Sequence, residues 1–348
     1  MNKTSILNLT LKELEQVLID WRQEKFHAHQ IFTWIYKKGI RDFSRMSDLS
    51  RDLRKKLEDN FAILDLELIK QFTSQDGTKK LLFELKDGNI IEAVSIPTEK
   101  RITGCLSTQV GCKFGCRFCA SGLLGFKRNL KVNEIIEQVL FLKGKPQEQL
   151  NNLVFMGIGE PLDNYDPVIK AIRIINSAHT FNIGARRITI STCGIIPAIK
   201  KLSAEALQIE LSISLHAADN KTRSRLMPIN KIYPLTDLIA ACHEYIKKTN
   251  RQITFEYVLI KGINSGLPNT LKLSKILKGL KCKINLIPCN VIKELKVEPP
   301  ENREILSFRD ALLKSGINVT LRRPRGEDIE AACGQLRLRY EESQITQI

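Results

Sequence analysis

The stretch Cys112-Lys-Phe-Gly-Cys-Arg-Phe-Cys119 decides how the chain is read. Cys112, Cys116 and Cys119 fall in a C-x₃-C-x₂-C spacing. Gly111 and Gly115 let the backbone turn tightly enough for three thiolates to converge. Thiolate is the soft ligand that iron–sulfur clusters and zinc both use. A four-iron cluster takes one ligand per iron, so three cysteines leave one iron open to a substrate-like molecule. A structural zinc takes four closed ligands, and Cys105 is the candidate for the fourth. The chain has nine cysteines and the other six are scattered, which sets this trio apart from chance clustering.

Composition narrows the partners. The 348 residues carry 54 Lys plus Arg against 38 Asp plus Glu, a net charge of +16. Such an excess suits a polyanion, most simply RNA or DNA, through phosphate contacts and counterion release. A hydrophobic content of 43% supports a real core. No apolar run is long enough to cross a bilayer, and Met1-Asn-Lys-Thr-Ser5 lacks a signal-peptide core, so no membrane association is expected. An odd cysteine count with three grouped as ligands fits a reducing cytoplasm and speaks against a secreted disulfide scaffold.

The organisation follows from periodicity. Residues 1–61 read as a basic helical module. Thr10-Leu-Lys-Glu13 is a capping box ahead of Leu14, Val17 and Leu18, and further helices are expected over His27–Lys38 and Ser50–Asn60. Its aromatics read as core, and its basic face as an RNA-docking surface. Residues 62–97 form an antiparallel extension, with hairpin turns at Asp76-Gly77 and Asp87-Gly88. Glu92 lies in its last strand, on the opposite face from Ile91, where a lone carboxylate is ordinarily solvated. Residues 98–325 alternate strand, loop and helix. The strands are expected at Ile102–Thr108, Asn152–Met156, Arg187–Ser191, Gln208–Ser214, Gln252–Leu259 and Lys283–Ile287. That makes an α/β core of six β/α units, too few for an eightfold barrel, and an open partial (β/α)₆ TIM-like barrel is favoured over a doubly wound sheet. Residues 326–348 form a C-terminal segment.

Small, hydroxyl and carboxylate groups cluster just after the strands, the end where α/β enzymes bind ligands. The cysteine loop follows the first strand, Gly157-Ile-Gly-Glu-Pro161 the second, and Ser191-Thr-Cys-Gly194 the third. Ser212-Ile-Ser-Leu-His216 ends the fourth and Pro288-Cys-Asn290 the sixth. With Phe118 before its last cysteine, the loop resembles the signature of radical S-adenosylmethionine (SAM) enzymes. In that superfamily the open iron chelates SAM, and one electron cleaves it to a 5′-deoxyadenosyl radical. Gly157-Ile-Gly-Glu-Pro161 resembles the GGEP motif of the same enzymes. Its glycines allow close backbone approach, and Glu160 accepts from the SAM ammonium.

A last stretch makes the resemblance specific. Arg322-Arg-Pro-Arg-Gly-Glu-Asp-Ile-Glu-Ala-Ala-Cys333-Gly-Gln-Leu336 holds an isolated cysteine, ordinarily just a small buried side chain. Together with Cys105-Leu-Ser-Thr-Gln-Val-Gly-Cys112, Lys127-Arg-Asn-Leu130 and Ser214-Leu-His-Ala217, it closely resembles the RlmN/Cfr family of radical SAM RNA methyltransferases over nearly the whole chain. The resemblance implies methylation of adenine carbon 2, in 23S rRNA at the peptidyl transferase centre and in tRNA 3′ of the anticodon. It implies a [4Fe-4S] cluster on Cys112, Cys116 and Cys119, two SAM molecules per turnover, and a SAM pocket from Gly159, Glu160, Ser191, Ser214, Leu215, His216 and Asn290. Cys333 would carry the methyl group, Glu92 would accept the C2 proton, and Cys105 would resolve the RNA adduct through a transient Cys105–Cys333 disulfide. A flavodoxin-type electron donor, a monomer, and extraction of the base from its stack are also implied. Gly159-Glu-Pro161 and Arg323-Pro-Arg-Gly326 favour the C2-methylating branch over Cfr-like C8 methylation. Cys193 and Cys289 read as structural, with Cys289 beside the pocket.

Two readings compete. A zinc-stabilised RNA-binding protein using Cys105, Cys112, Cys116 and Cys119 leaves Glu92, Glu160 and Cys333 without a role. A methylthiotransferase would need a second three-cysteine set, and the remaining cysteines are too dispersed for one.

Overall fold

The computed structural model describes residues 3–123, 125–143, 150–322 and 324–336. In the N-terminal module, β1 (Thr4–Ser5) pairs in parallel with β2 (Phe61–Ala62), tying its two ends together. Helix α1 (Leu11–Asp20) starts at the expected capping box: Thr10 N donates to Glu13 Oε2 at 2.6 Å, and Glu13 N to Thr10 Oγ1 at 3.4 Å. A cap of this kind contributes about 1 kcal/mol. Helix α2 (His27–Phe32) continues through a wider turn to Lys37, and α3 (Arg51–Asn60) is capped by Ser50. Leu14, Leu18, Ile31, Phe32 and Tyr36 are buried in a core continuous with that of the rest of the chain. Phe32 and Tyr36 are therefore packing residues, as expected.

The extension consists of β3 (Glu67–Thr73), β4 (Lys79–Glu84) and β5 (Ile90–Thr98), all antiparallel. Strand β5 pairs antiparallel with β6 (Arg101–Cys105), the first strand of the α/β core. The extension is thus the flank of one ten-stranded sheet. After β6, the short hairpin β7 (Gln109–Gly111) and β8 (Phe126–Asn129) brackets the cysteine loop. The expected strand Ile102–Thr108 ends early, at Cys105. Ser107 turns off the sheet, its Oγ donating to Glu92 O at 2.6 Å and its backbone N to Gln138 Oε1 at 2.9 Å. Gln138 is fully buried on α4 (Val132–Leu142), so an amide on that helix fixes the turn that launches the cysteine loop.

The remaining parallel strands are β9 (Leu150–Phe155), β10 (Ile188–Thr192), β11 (Glu210–Ser214), β12 (Ile253–Leu259), β13 (Cys282–Pro288) and β14 (Val319–Leu321). Between them run α5 (Tyr165–Asn176), α6 (Ile196–Leu202), α7 (Asn220–Leu226), α8 (Leu235–Thr249), α9 (Leu267–Leu277) and α10 (Asn302–Lys314). From β6 to β14 the strands lie side by side in sequence order, each parallel to the next. Right-handed crossovers that never reverse direction put every connecting helix on one face. A doubly wound sheet needs a reversal, which this order lacks. The sheet ends in β14 on one side and β3 on the other, so it stays open.

Among the described residues seven parallel strands are present where six were expected. Strand β14 has three residues, none of them fully buried, and so carries no apolar run to announce it. Packing elsewhere follows periodicity. Helix α5 buries Val168, Ile172 and Ile175, three to four residues apart, in the same core as Ile188 and Ile190 of β10. Among the described residues no helix is long and apolar enough to cross a membrane.

Candidate active site

The C-terminal ends of the parallel strands surround an open cleft. The cysteine loop forms one wall by simple alternation. Cys112, Phe114, Cys116 and Phe118 line the cleft, while Lys113, Gly115 and Arg117 are exposed. Gly111 (φ +74°) and Gly115 (φ +60°) take the left-handed backbone that this winding requires. Cys119 also lines the cleft, and the loop is anchored where Arg117 N donates to Leu226 O at 2.9 Å.

Burial pushes the Cys112 thiol up to about 12 and raises Cys116 and Cys119 as well. Neighbouring thiolates of the same trio add to the rise at Cys112 and Cys116. Ionising all three together therefore needs a strong positive charge in the cleft, which an iron–sulfur cluster supplies. The donor set fits such a cluster. It does not fit the four-cysteine zinc site. Cys105 is absent from the cleft wall and lines a smaller adjoining cavity instead. Among the described residues, no three His, Cys, Asp or Glu side chains converge on a single ion position, as a tetrahedral zinc would demand.

Glu160 is 5% exposed at the cleft. Its Oε2 accepts from Cys193 N at 2.7 Å and its Oε1 from Leu162 N at 3.1 Å. Burial raises its pKa, against the pull of these bonds. Each oxygen keeps a further lone pair for a cation in the cleft. The neighbouring Gly157 and Gly159 line the cleft and also pack closely against the chain. A Cβ on Gly157 would lie 2.7 Å from the Leu106 carbonyl carbon, and one on Gly159 would lie 2.5 Å from Gln109 Cβ. Their smallness lets the turn pack against the start of the cysteine loop.

Ser191, Ser214, His216 and Asn290 all line the cleft. Leu215 does not: its side chain is fully buried in the core. Buried Arg223 locks these strand ends together. It donates to the carbonyls of Cys193 (2.8 Å), Ser214 (3.0 Å) and Leu215 (3.2 Å). Burial, followed by the charge of Arg223, pushes His216 down to about 3, so the ring is neutral. Its Nδ1 accepts from Val258 N at 2.9 Å, which leaves the proton on Nε2 as a donor. Phe118 meets the ring edge-on at 4.6 Å.

Cys333 stands where the two cavities meet and lines both. Asn290 Nδ2 donates to Cys333 O at 3.0 Å, and Ala120 N to Gly334 O at 2.6 Å. The cysteine segment thus rests directly on the end of the cysteine loop. Burial and the neighbouring Cys333 raise the Cys105 thiol, and Arg322 opposes them. Glu92 is 2% exposed, not solvated, and its Oε1 lies 3.5 Å from Lys80 Nζ. It shares a face of β5 with Val94, which packs against Cys105 and Ala331.

Sequence reasoning gave no role to Arg322 and Glu256, and read Cys193 as structural. Arg322 lines both cavities, and the charges of Cys333, Glu256 and Cys105 hold its pKa up. Glu256 is buried in the cleft, accepting from Ser212 Oγ at 3.2 Å and Asn285 Nδ2 at 3.4 Å. Alternation along Phe255-Glu-Tyr257 was the available signal, since it marks an inward carboxylate between core aromatics. Cys193 lines the cleft as Cys289 does, and burial, followed by the charge of Glu160, raises its thiol. Arg323, quoted with the C-terminal motif, lies outside the described residues, as does the chain from 337 to 348.

Residues 106–273 match the radical SAM superfamily, and residues 4–63 match the ribosomal RNA large subunit methyltransferase N-terminal domain. The chain is 49% identical over 337 residues to a probable dual-specificity RNA methyltransferase RlmN of Clostridium novyi, covering 97% of this chain and 98% of that one. It is 48% identical to the protein so named from Geobacillus thermodenitrificans, with 96% and 92% covered. A crystal structure of a radical SAM methyltransferase from Sphaerobacter thermophilus superposes with a TM-score of 0.93 at 41% identity, covering 96% of this chain and 99% of that one.

Proposed function

The chain belongs to the RlmN family of radical SAM RNA methyltransferases, and we propose that it methylates carbon 2 of adenosine in 23S rRNA and in tRNA. The observation that supports this most is the place of Cys333, between a cleft walled by three cysteines and a cavity holding Cys105. Adenine C2 is an electrophilic amidine carbon, so direct displacement on a methyl donor is closed to it. A thiol that first takes the carbon and then delivers it avoids the difficulty.

Cys112, Cys116 and Cys119 would hold a [4Fe-4S] cluster, and Glu160, Ser191, Ser214, His216 and Asn290 would receive SAM. When bound, the cluster and SAM supply a methyl group by displacement and a 5′-deoxyadenosyl radical by one-electron reduction. Cys333 accepts the methyl group on sulfur, one hydrogen atom of that group would pass to the deoxyadenosyl radical, and the remaining carbon then joins adenine C2, tethering the RNA. Glu92 takes the C2 proton, and one electron leaves the adduct for the oxidised cluster. Cys105 attacks the Cys333 sulfur; the carbon–sulfur bond breaks, the released carbon takes up a proton as the methyl group of the base, and a Cys105–Cys333 disulfide forms. Neutral His216 offers a hydrogen-bond donor to SAM without adding a second positive charge near its sulfonium. The target base is reached by extraction from its stack, and the +16 charge favours binding of the folded RNA.

The test is anaerobic turnover with iron, sulfide, SAM, a reductant and an rRNA fragment, reading nucleosides by mass spectrometry. 2-Methyladenosine is expected. 8-Methyladenosine would move the chain to Cfr-like chemistry. No methylation, from protein carrying zinc in place of iron, would overturn the reading.

A further inference from the structure

Lys80 has no part in the chemistry above, yet it is buried (7% exposed) beside that chemistry. Lysine is seldom buried unless paired. Its Nζ lies 3.5 Å from Glu92 Oε1 and 3.4 Å from the carbonyl oxygen of Glu330, to which it donates. The ammonium also sits 5.2 Å from the centre of the Phe72 ring. Register explains the reach. Leu82 is opposite Glu92 and Lys80 is opposite Val94, so Lys80 leans diagonally along the face that carries Glu92, Val94 and Ile96. Ile96 borders the cavity that holds Cys105 and Cys333.

Glu330 stands three residues before Cys333, and its φ of +52° is unusual for a side chain larger than glycine. Such a backbone persists only where its surroundings hold it. The β3–β4 hairpin does the holding. Ser74 Oγ and Gln75 N donate to Asp328 at 2.6 and 3.2 Å, and Gly326 N donates to Asp76 Oδ2 at 3.1 Å. Lys80 joins this clamp and also touches Glu92.

We propose that Lys80 is a positioning residue, whose ammonium fixes the Glu92 carboxylate and the Cys333 segment relative to each other. The inference rests on the roles assigned above to Glu92 and Cys333. A proton acceptor on the sheet and a carbon carrier on a separate segment must meet one adenine atom together. A single cation bonded to both keeps that alignment through the carbon-transfer and proton-transfer steps.

The experiment uses the full chain reconstituted with iron and sulfide. Lys80→Met keeps side-chain length and removes the charge. Its kcat is expected to fall about 10²-fold, the scale of a misplaced acid–base group, with KM for RNA unchanged. Iodoacetamide should alkylate Cys333 several-fold faster as the segment loosens. Lys80→Arg should restore most of kcat and the slow alkylation, even if Lys80→Met folds poorly. Glu92→Gln should lower kcat while leaving Cys333 alkylation slow. Wild-type kcat in Lys80→Met would overturn the proposal. So would a loss of kcat with unchanged alkylation and no rescue by Lys80→Arg. If wild-type protein forms no 2-methyladenosine, the roles of Glu92 and Cys333 fail instead, and the alkylation rates still decide whether Lys80 holds the segment.

Discussion

Two sets of buried thiols stand side by side in this molecule and differ in what surrounds them. Cys112, Cys116 and Cys119 stand on one glycine-bearing loop, face one cleft, and resist ionisation through burial and, at Cys112 and Cys116, one another's charge. Cys105 and Cys333 come from opposite ends of the core, a strand end and a C-terminal segment, and meet beside Arg322. The trio has the arrangement of ligands awaiting a multivalent cation. Burial raises Cys105 of the pair as well, but there the Arg322 charge opposes the rise, a counter-charge of the kind that favours thiolate. Sulfur chemistry is thus set by the charges that the fold places around each thiol.

The sharpest way to break this comparison is to remove one member from each set. Cys333→Ala should lower product formation by at least about 10⁴-fold, as loss of a covalent carrier does, with iron content unchanged. Cys116→Ala should lose the iron itself, measured by metal analysis and the visible absorbance of the cluster. Equal iron loss in both variants would erase the distinction. Glu160→Ala should have a smaller effect, weakening SAM binding about 10²-fold while iron is retained, the scale of a lost charged hydrogen bond. Unchanged SAM affinity in equilibrium dialysis would take Glu160 out of the pocket.

The smallest effect sharpens the comparison by lying outside both sets. Buried Glu137 on α4 accepts from Asp65 N and Leu66 N, both at 2.7 Å, and burial raises its pKa from 4.5 to about 7. An acid whose pKa rises on folding binds more protons in the folded state. Its contribution to stability is therefore full below pH 4.5 and is lost as the pH rises through about 7. Glu137→Gln should flatten stability across that window, by no more than about 3 kcal/mol, and leave turnover unchanged. A denaturation series with an unaltered pH slope would contradict this.

How much of this was legible depended on whether local pattern or tertiary contact decided the outcome. The capping box at Thr10, the alternation of strand and helix beyond residue 98, and the strand-end clustering all follow from local pattern, and the sequence displays them. The order of the parallel strands also followed once the alternation was recognised. Strand β14 was hidden because three half-exposed residues carry no periodic signal. The early end of β6 depends on Gln138, more than thirty residues away, and no local pattern reports such a partner. Glu92 read as solvated because burial of a strand carboxylate depends on what covers it, here Lys80 and the C-terminal segment. Gly157 and Gly159 line the cleft as their motif suggests, but their close packing on Leu106 and Gln109 is a tertiary contact that the motif does not report. Arg322 was quoted in a motif yet given no role, because its neighbours Cys105 and Glu256 come from two other strands.

The most direct test of the central claim is the Cys105→Ala variant under anaerobic turnover. Protein carrying iron is given SAM, a reductant and an rRNA fragment, then digested, and the peptides are read by mass spectrometry. The account predicts an adenosine-bearing fragment covalently attached through one carbon to Cys333, accumulating because nothing attacks the sulfur. Normal release of methylated RNA with no adduct on Cys333 would contradict it.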